Sequence, residues 1–150
     1  MQHFTWEGLS GEHAENWRFT QGVTHDFPWA RWTSPMFGEE EAWTYRFVLN
    51  CLVHPNPQNI PFDTWLNRDL LDTEKQFRAS SRETFAGREA MRSAPVAGWD
   101  NLDTLLFVHG HRRVYQLRIA GLAAESRSVD KSLTALISSL RIVSEEGDVP

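Results

Sequence analysis

Between Asn101 and Val143 the apolar spacing changes from a period of two to a period of 3.6, and this change limits the fold more than any other feature of the chain. Leu102, Thr104, Leu106 and Val108 alternate with Asp103, Leu105, Phe107 and His109, and Tyr115, Leu117 and Ile119 alternate with Gln116 and Arg118. That alternation predicts two strands. Between them, His109-Gly110-His111-Arg112 supplies a glycine for a tight hairpin, and Gly110-His111 fits a two-residue turn with glycine first. After Gly121, the residues Val129, Leu133, Leu136, Ile137 and Leu140 form one helical stripe, with Ser128 as its N-cap.

Upstream, Trp43, Tyr45, Phe47, Leu49, Cys51 and Val53 fall on one side of a long strand from Ala42 to His54. Thr44, Arg46, Val48, Asn50, Leu52 and His54 fall on the other. Pro61 opens a helix expected to run to about Phe77, buried through Phe62, Leu66, Leu70 and Phe77. Thr84 to Ser93 reads as one strand around Gly87, and Ala94 to Gly98 as a turn. The first third is less regular. His3 to Leu9 reads as a strand, while Pro28 and Pro35 predict an edge strand or loop around Trp29. The tail from about Glu145 is expected to fray. Strands, helix, strand, long hairpin and terminal helix make an α+β fold, an antiparallel β-sheet with helices packed on it, in a single domain over residues 1–150.

A formal net charge of -5 and a pI near 5.6 argue against a nucleic-acid partner, which needs a basic face. Arg78, Arg82, Arg88 and Arg92 cluster, but Glu83 and Glu89 dilute them into a solvated face. One cysteine excludes an internal disulfide and predicts a reducing, cytoplasmic compartment. Glu7, Glu12 and Glu15 near the start are unlike a signal peptide, and nowhere do about 18 apolar residues run together to span a membrane. Seven tryptophans suit a core first and a binding surface second. His109 and His111 make a His-x-His pair, but without a third and fourth ligand the turn reading is preferred to a metal site. Cys51, flanked by Leu49 and Val53, reads as a buried inert thiol. Gly-x-Ser-x-Gly, His-Glu-x-x-His and a phosphate-cradling glycine loop are all missing, so no catalytic residue, cofactor or metal is expected.

Pro61-Phe62-Asp63-Thr64-Trp65-Leu66 opening a helix is followed by Phe85-Ala86-Gly87-Arg88-Glu89-Ala90. Then come the hairpin ending Val114-Tyr115-Gln116-Leu117-Arg118-Ile119 and a helix closing on Ser138-Ser139-Leu140-Arg141. This succession resembles the PsbP-like superfamily, which includes Mog-type Ran-binding proteins and the effector-associated adaptor chaperones of type VI secretion. Asn16-Trp17 stands where these proteins often carry a proline-then-tryptophan stretch, without the proline. The resemblance implies an α/β/α sandwich and a non-enzymatic adaptor or chaperone that shields an apolar segment of a partner protein, such as a type VI effector.

Pairing the hairpin across Gly110-His111 sets Phe107 opposite Val114, Leu105 opposite Gln116 and Asp103 opposite Arg118, on the face away from Leu106, Tyr115, Leu117 and Ile119. With helices on the fully apolar face, this second face offers a partner site of Arg46, Val48, Asn50, Leu105, Phe107, Val114 and Gln116. Either the Trp-rich N-terminal segment or the mate in a homodimer is the alternative cover. The rival function is a helix-grip carrier or enzyme for a small apolar ligand. A terminal helix of about fifteen residues, roughly 22 Å long, is short for closing a deep cavity.

Overall fold

A computed structural model of the chain describes residues 1–35, 48–69, 80–93, 101–122, 132 and 135–142. Ten strands carry most of them: β1 (Gln2–Trp6), β2 (Leu9–His13), β3 (Arg18–Thr24), β4 (Phe27–Thr33), β5 (Val48–Pro55), β6 (Ser80–Phe85), β7 (Arg88–Ser93), β8 (Asn101–His109), β9 (Arg113–Leu122) and β10 (Arg141–Ile142). Among the described residues helix is confined to α1 (Phe62–Asp69) and a short segment at 135–139, with residue 132. The strands form two antiparallel sheets, three-stranded β1-β2-β10 and seven-stranded β3-β4-β5-β9-β8-β7-β6. The expected helix-covered α+β sandwich is therefore corrected to a mostly β fold in which sheet packs on sheet.

Short-range turn chemistry explains the difference. Three hairpins turn on two residues that both have positive φ: Glu7 and Gly8 at 47° and 77°, His25 and Asp26 at 50° and 68°, Ala86 and Gly87 at 52° and 79°. Such turns carry the twist of the strands they join. At Ala86-Gly87 the single strand expected over Thr84–Ser93 folds back on itself, giving β6 and β7. The β8–β9 turn centres on His111-Arg112, with Arg112 at φ 59° and the Gly110 amide donating to the Arg113 carbonyl at 2.9 Å. The expected Gly110-His111 turn is thus displaced by one residue and the register by two, so that Phe107 faces Gln116 and Leu105 faces Arg118. A two-residue shift leaves every side chain on its expected face.

The segment around Trp29, expected as an edge or loop, is the interior strand β4, between β3 and β5. The ladder from β5 begins at Trp29↔Leu52, so Pro28 lies beside β3 alone and its missing N–H interrupts nothing. Within the long strand expected over 42–54, β5 is the described part. Residues 42–47, 70–79, 94–100, 123–131 and 143–150 lie outside the described residues, and with them part of the expected helices and the tail.

The main core lies between the sheets. Trp32 is fully buried, with the rings of Phe4, Phe19 and Trp6 at centroid distances of 4.9, 5.1 and 6.3 Å. Leu49, Cys51, Leu106, Tyr115 and Leu117 continue this layer across the seven-stranded sheet. The Glu7–Gly8 turn is tied down because the Tyr115 hydroxyl and the Arg113 guanidinium both donate to the Glu7 carbonyl. At the other end, the expected terminal stripe packs as Leu136 and Leu140, both buried in the same core, and the chain runs straight on into β10 beside β2. Ser139 Oγ accepts from the Glu12 amide at 2.9 Å and donates to the Leu136 carbonyl at 2.8 Å, joining this segment to β2. Leu136→Ala is expected to cost about 2 to 5 kcal/mol through lost transfer energy and a residual cavity, read as a lower urea midpoint. An unchanged midpoint would show that the segment does not seat in the core.

Candidate partner-binding face

The second face of the seven-stranded sheet is built in rows that run across the strands. One row is Gly22, Trp29, Leu52, Gln116, Phe107 and Met91, and the next is Thr20, Arg31, Asn50, Arg118 and Leu105. α1 covers one half. Its apolar residues Phe62, Trp65 and Leu66 form a second core with Phe107 and Val114, which are 1% and 0% exposed, and Leu105, Met91 and Ile60 pack at its margin. The helix is seated by Asn56, whose side chain accepts from the Ile60 amide and donates to the Ile60 carbonyl, both at 3.1 Å. The Asn56 amide donates to the Arg112 carbonyl at 2.9 Å, which ties the β5–α1 loop to the β8–β9 turn.

The expected seven-residue site is thereby divided. Phe107 and Val114 lie beneath α1 and Leu105 at its edge, so they form a core and not an exposed apolar centre. Gln116 is half-buried, with His54 Nε2 at 2.7 Å from its Oε1, and the His54 ring lies 5.3 Å from Trp65 and 5.4 Å from Phe27, where the covered half ends. Val48 and Asn50 are half-buried on the other half of the sheet. Arg46 lies outside the described residues.

In the half made by β3, β4 and β5, Thr33, Val48, Asn50 and Leu52 are half-buried and Arg18, Thr20 and Arg31 are exposed. Trp29 is half-buried there, and a Cβ on Gly22 would come within 2.7 Å of its ring, so the glycine is what lets the indole lie against the edge strand. The Arg31 guanidinium sits 5.9 Å from the Trp29 ring centroid, and its Nε donates to Asn50 Oδ1 at 2.7 Å. Beside it, Arg18, Thr20, Arg31 and Thr33 line an open groove of about 350 Å³. Arg18, Arg31 and Arg118 are exposed, and the described residues of β3, β4, β5 and β9 on this face include no carboxylate. A chain of net charge -5 therefore presents a cationic, aromatic surface here. The prolines concealed it from sequence reading. The usable signal was His25-Asp26, two residues tolerant of positive φ, followed by the alternation Trp29, Arg31, Thr33.

Elsewhere the expected solvated arginine face is internally paired. Arg92 donates to both Glu83 carboxylate oxygens at 2.8 to 3.2 Å, and Arg82 pairs with Asp63 and, at 3.7 Å, with Glu89. The His109 ring stacks on Phe62 at 5.3 Å. Among the described residues no group of three His, Cys, Asp or Glu side chains gathers as a metal site requires. Burial pushes the Cys51 thiol well above its ordinary pKa, which keeps it protonated and poorly nucleophilic.

No family model and no curated protein matches the sequence. Among solved structures, the chain is similar to a crystal structure from Bacteroides thetaiotaomicron VPI-5482, with a TM-score of 0.53 and 13% identity over 95% of this chain. The chain spans about half of that protein, 48% of its length. The likeness is one of fold.

Proposed function

We propose that the chain is a non-enzymatic protein-binding module whose docking face is the open half of the seven-stranded sheet. Its partner is an apolar segment flanked by carboxylates. The observation that carries this reading is Trp29, held half-exposed against Gly22 with Arg31 over its ring, where β3, β4 and β5 bring no described carboxylate to the face. Trp and Arg are the side chains that most often dominate binding energy at such surfaces. Trp29, Leu52 and Val48 would bury the apolar part of the partner, and Arg18 and Arg31 would meet its acids.

This open face supports the reading better than the resemblance to effector-associated adaptors, whose helix-covered sandwich the chain does not adopt. The rival reading as an apolar-ligand carrier asks for an enclosed apolar cavity. The groove beside Arg31 is open and polar, and so is a second cavity of about 360 Å³ beside His3 and Glu12. A cytoplasmic setting fits the buried free thiol of Cys51. No described helix is long and apolar enough to cross a membrane.

The test compares proteins captured from the source cell by the wild type, Trp29→Ala and Arg31→Glu, each first shown to be folded. Both variants are expected to lose the same partner, with affinity reduced about 30-fold or more, as for a hot spot worth at least 2 kcal/mol. Capture should also weaken as salt rises. Equal recovery by all three proteins would overturn the reading.

A further inference from the structure

We propose that β3 is a dimerisation edge, pairing antiparallel with β3 of a second copy of this chain about a two-fold axis through Gln21. β3 is an outer strand of the seven-stranded sheet, paired along its whole length with β4 on one side. The β3–β4 hairpin closes on Thr24↔Phe27 around two turn residues, so Arg18, Thr20, Gly22 and Thr24 direct their backbone groups to β4. Phe19, Gln21 and Val23 consequently direct their N–H and C=O groups outward. When the strand pairs antiparallel with itself, one register satisfies all three: Phe19 opposite Val23, Gln21 opposite Gln21, and Val23 opposite Phe19.

That register is also favourable for the side chains. Val23 is 68% exposed, and Met1 is the other large apolar side chain comparably exposed among the described residues. Across the axis Val23 meets Phe19 of the second copy, which already packs on that copy's aromatic core. Arg18 falls opposite Thr24, so no like charges face each other across the pairing. The other outer strand of the sheet, β6, carries Arg82 and Glu83, which engage Asp63, Glu89 and Arg92, and such charges protect an edge. β3 carries a single charge, Arg18 at its first position, and none along the stretch from Phe19 to Thr24. The pairing joins two seven-stranded sheets into one and uses the backbone edge, so it stands independently of the partner face around Trp29.

Sedimentation equilibrium of the full chain tests it. Wild type at high concentration is expected to show twice the monomer mass of 17.3 kDa, falling towards the monomer on dilution. Because the axis passes through residue 21, Gln21→Glu places two carboxylates face to face and Gln21→Lys two ammonium groups. Each variant alone should therefore sediment as a monomer, and an equimolar mixture should recover the dimer. The position is exposed, so both variants should keep the wild-type circular dichroism spectrum. A monomeric wild type, a dimer indifferent to both charges, or a mixture that stays monomeric would each overturn the proposal.

Discussion

Trp32→Ala is expected to lower the unfolding free energy by about 3 to 5 kcal/mol, at or beyond the upper end of single-site effects. The indole is fully buried where the two sheets meet, against the rings of Phe4, Phe19 and Trp6. Truncation removes contacts from both layers at once, and the framework of β4 between β3 and β5 restrains collapse into the void. The measurement is a urea titration followed by circular dichroism, since tryptophan fluorescence would itself be altered. Trp29→Ala, three residues away on the opposite, open face, should cost far less. Equal losses at the two positions would contradict the assignment of one to the core and the other to the surface.

Phe107→Asp is expected to abolish cooperative folding, with a penalty of about 5 kcal/mol or more. Phe107 is sealed under α1 by Phe62, Trp65 and Leu66, with the His54 ring 6.2 Å from its own. A carboxylate there would lose its hydration and gain no cation held in place, unless the helix lifted away. Phe107→Leu keeps the site apolar and should cost about 1 kcal/mol. Heteronuclear NMR separates the cases: the aspartate variant should show collapsed amide dispersion and the leucine variant a native spectrum. A folded aspartate variant of unchanged stability would mean that α1 does not seat on β8 and β9, leaving that half of the sheet available to a partner.

The hairpin of β8 and β9 was legible because its alternation is unbroken, and its two faces sort as the spacing indicates. Its register was not, because Gly110 draws the eye to itself, whereas Arg112 is the residue that takes the positive φ. Period-two patterning fixes a face but not an offset of two. The overestimate of helix has a related cause. Phe62 and Leu66 declare α1, but an amphipathic stripe does not say which sheet face it will cover, and α1 lies on the face expected to stay open. The second sheet was hidden because β2, Leu9–His13, includes Gly11, Glu12 and His13, and such residues look like a loop until Phe4, Trp6 and Leu9 are seen to share a core with Trp32. On this second face of the sheet, the positions of Val48 and Asn50 followed from alternation alone, whereas Trp29 and Arg31 stood behind a proline that proves harmless only because the neighbouring ladder starts one residue later.

The pairing of β5 with β9 has a consequence for how the chain reaches this state. The two-residue hairpins β3–β4 and β6–β7 form between sequence neighbours, and contacts of that kind close within microseconds. Val48 and Ala120, by contrast, must meet across an intervening stretch that includes α1 and three strands. The chain entropy of that closure is lost before its contacts form, which places this seam late on the folding path and makes the reaction slow for the size of the protein. Until it closes, the nascent molecule holds two separate β units whose open margins, β5 and β9, are the ones destined for the middle of the finished sheet. In a cell this interval, more than any weakness of the completed structure, is when the chain is most exposed to pairing with the wrong neighbour.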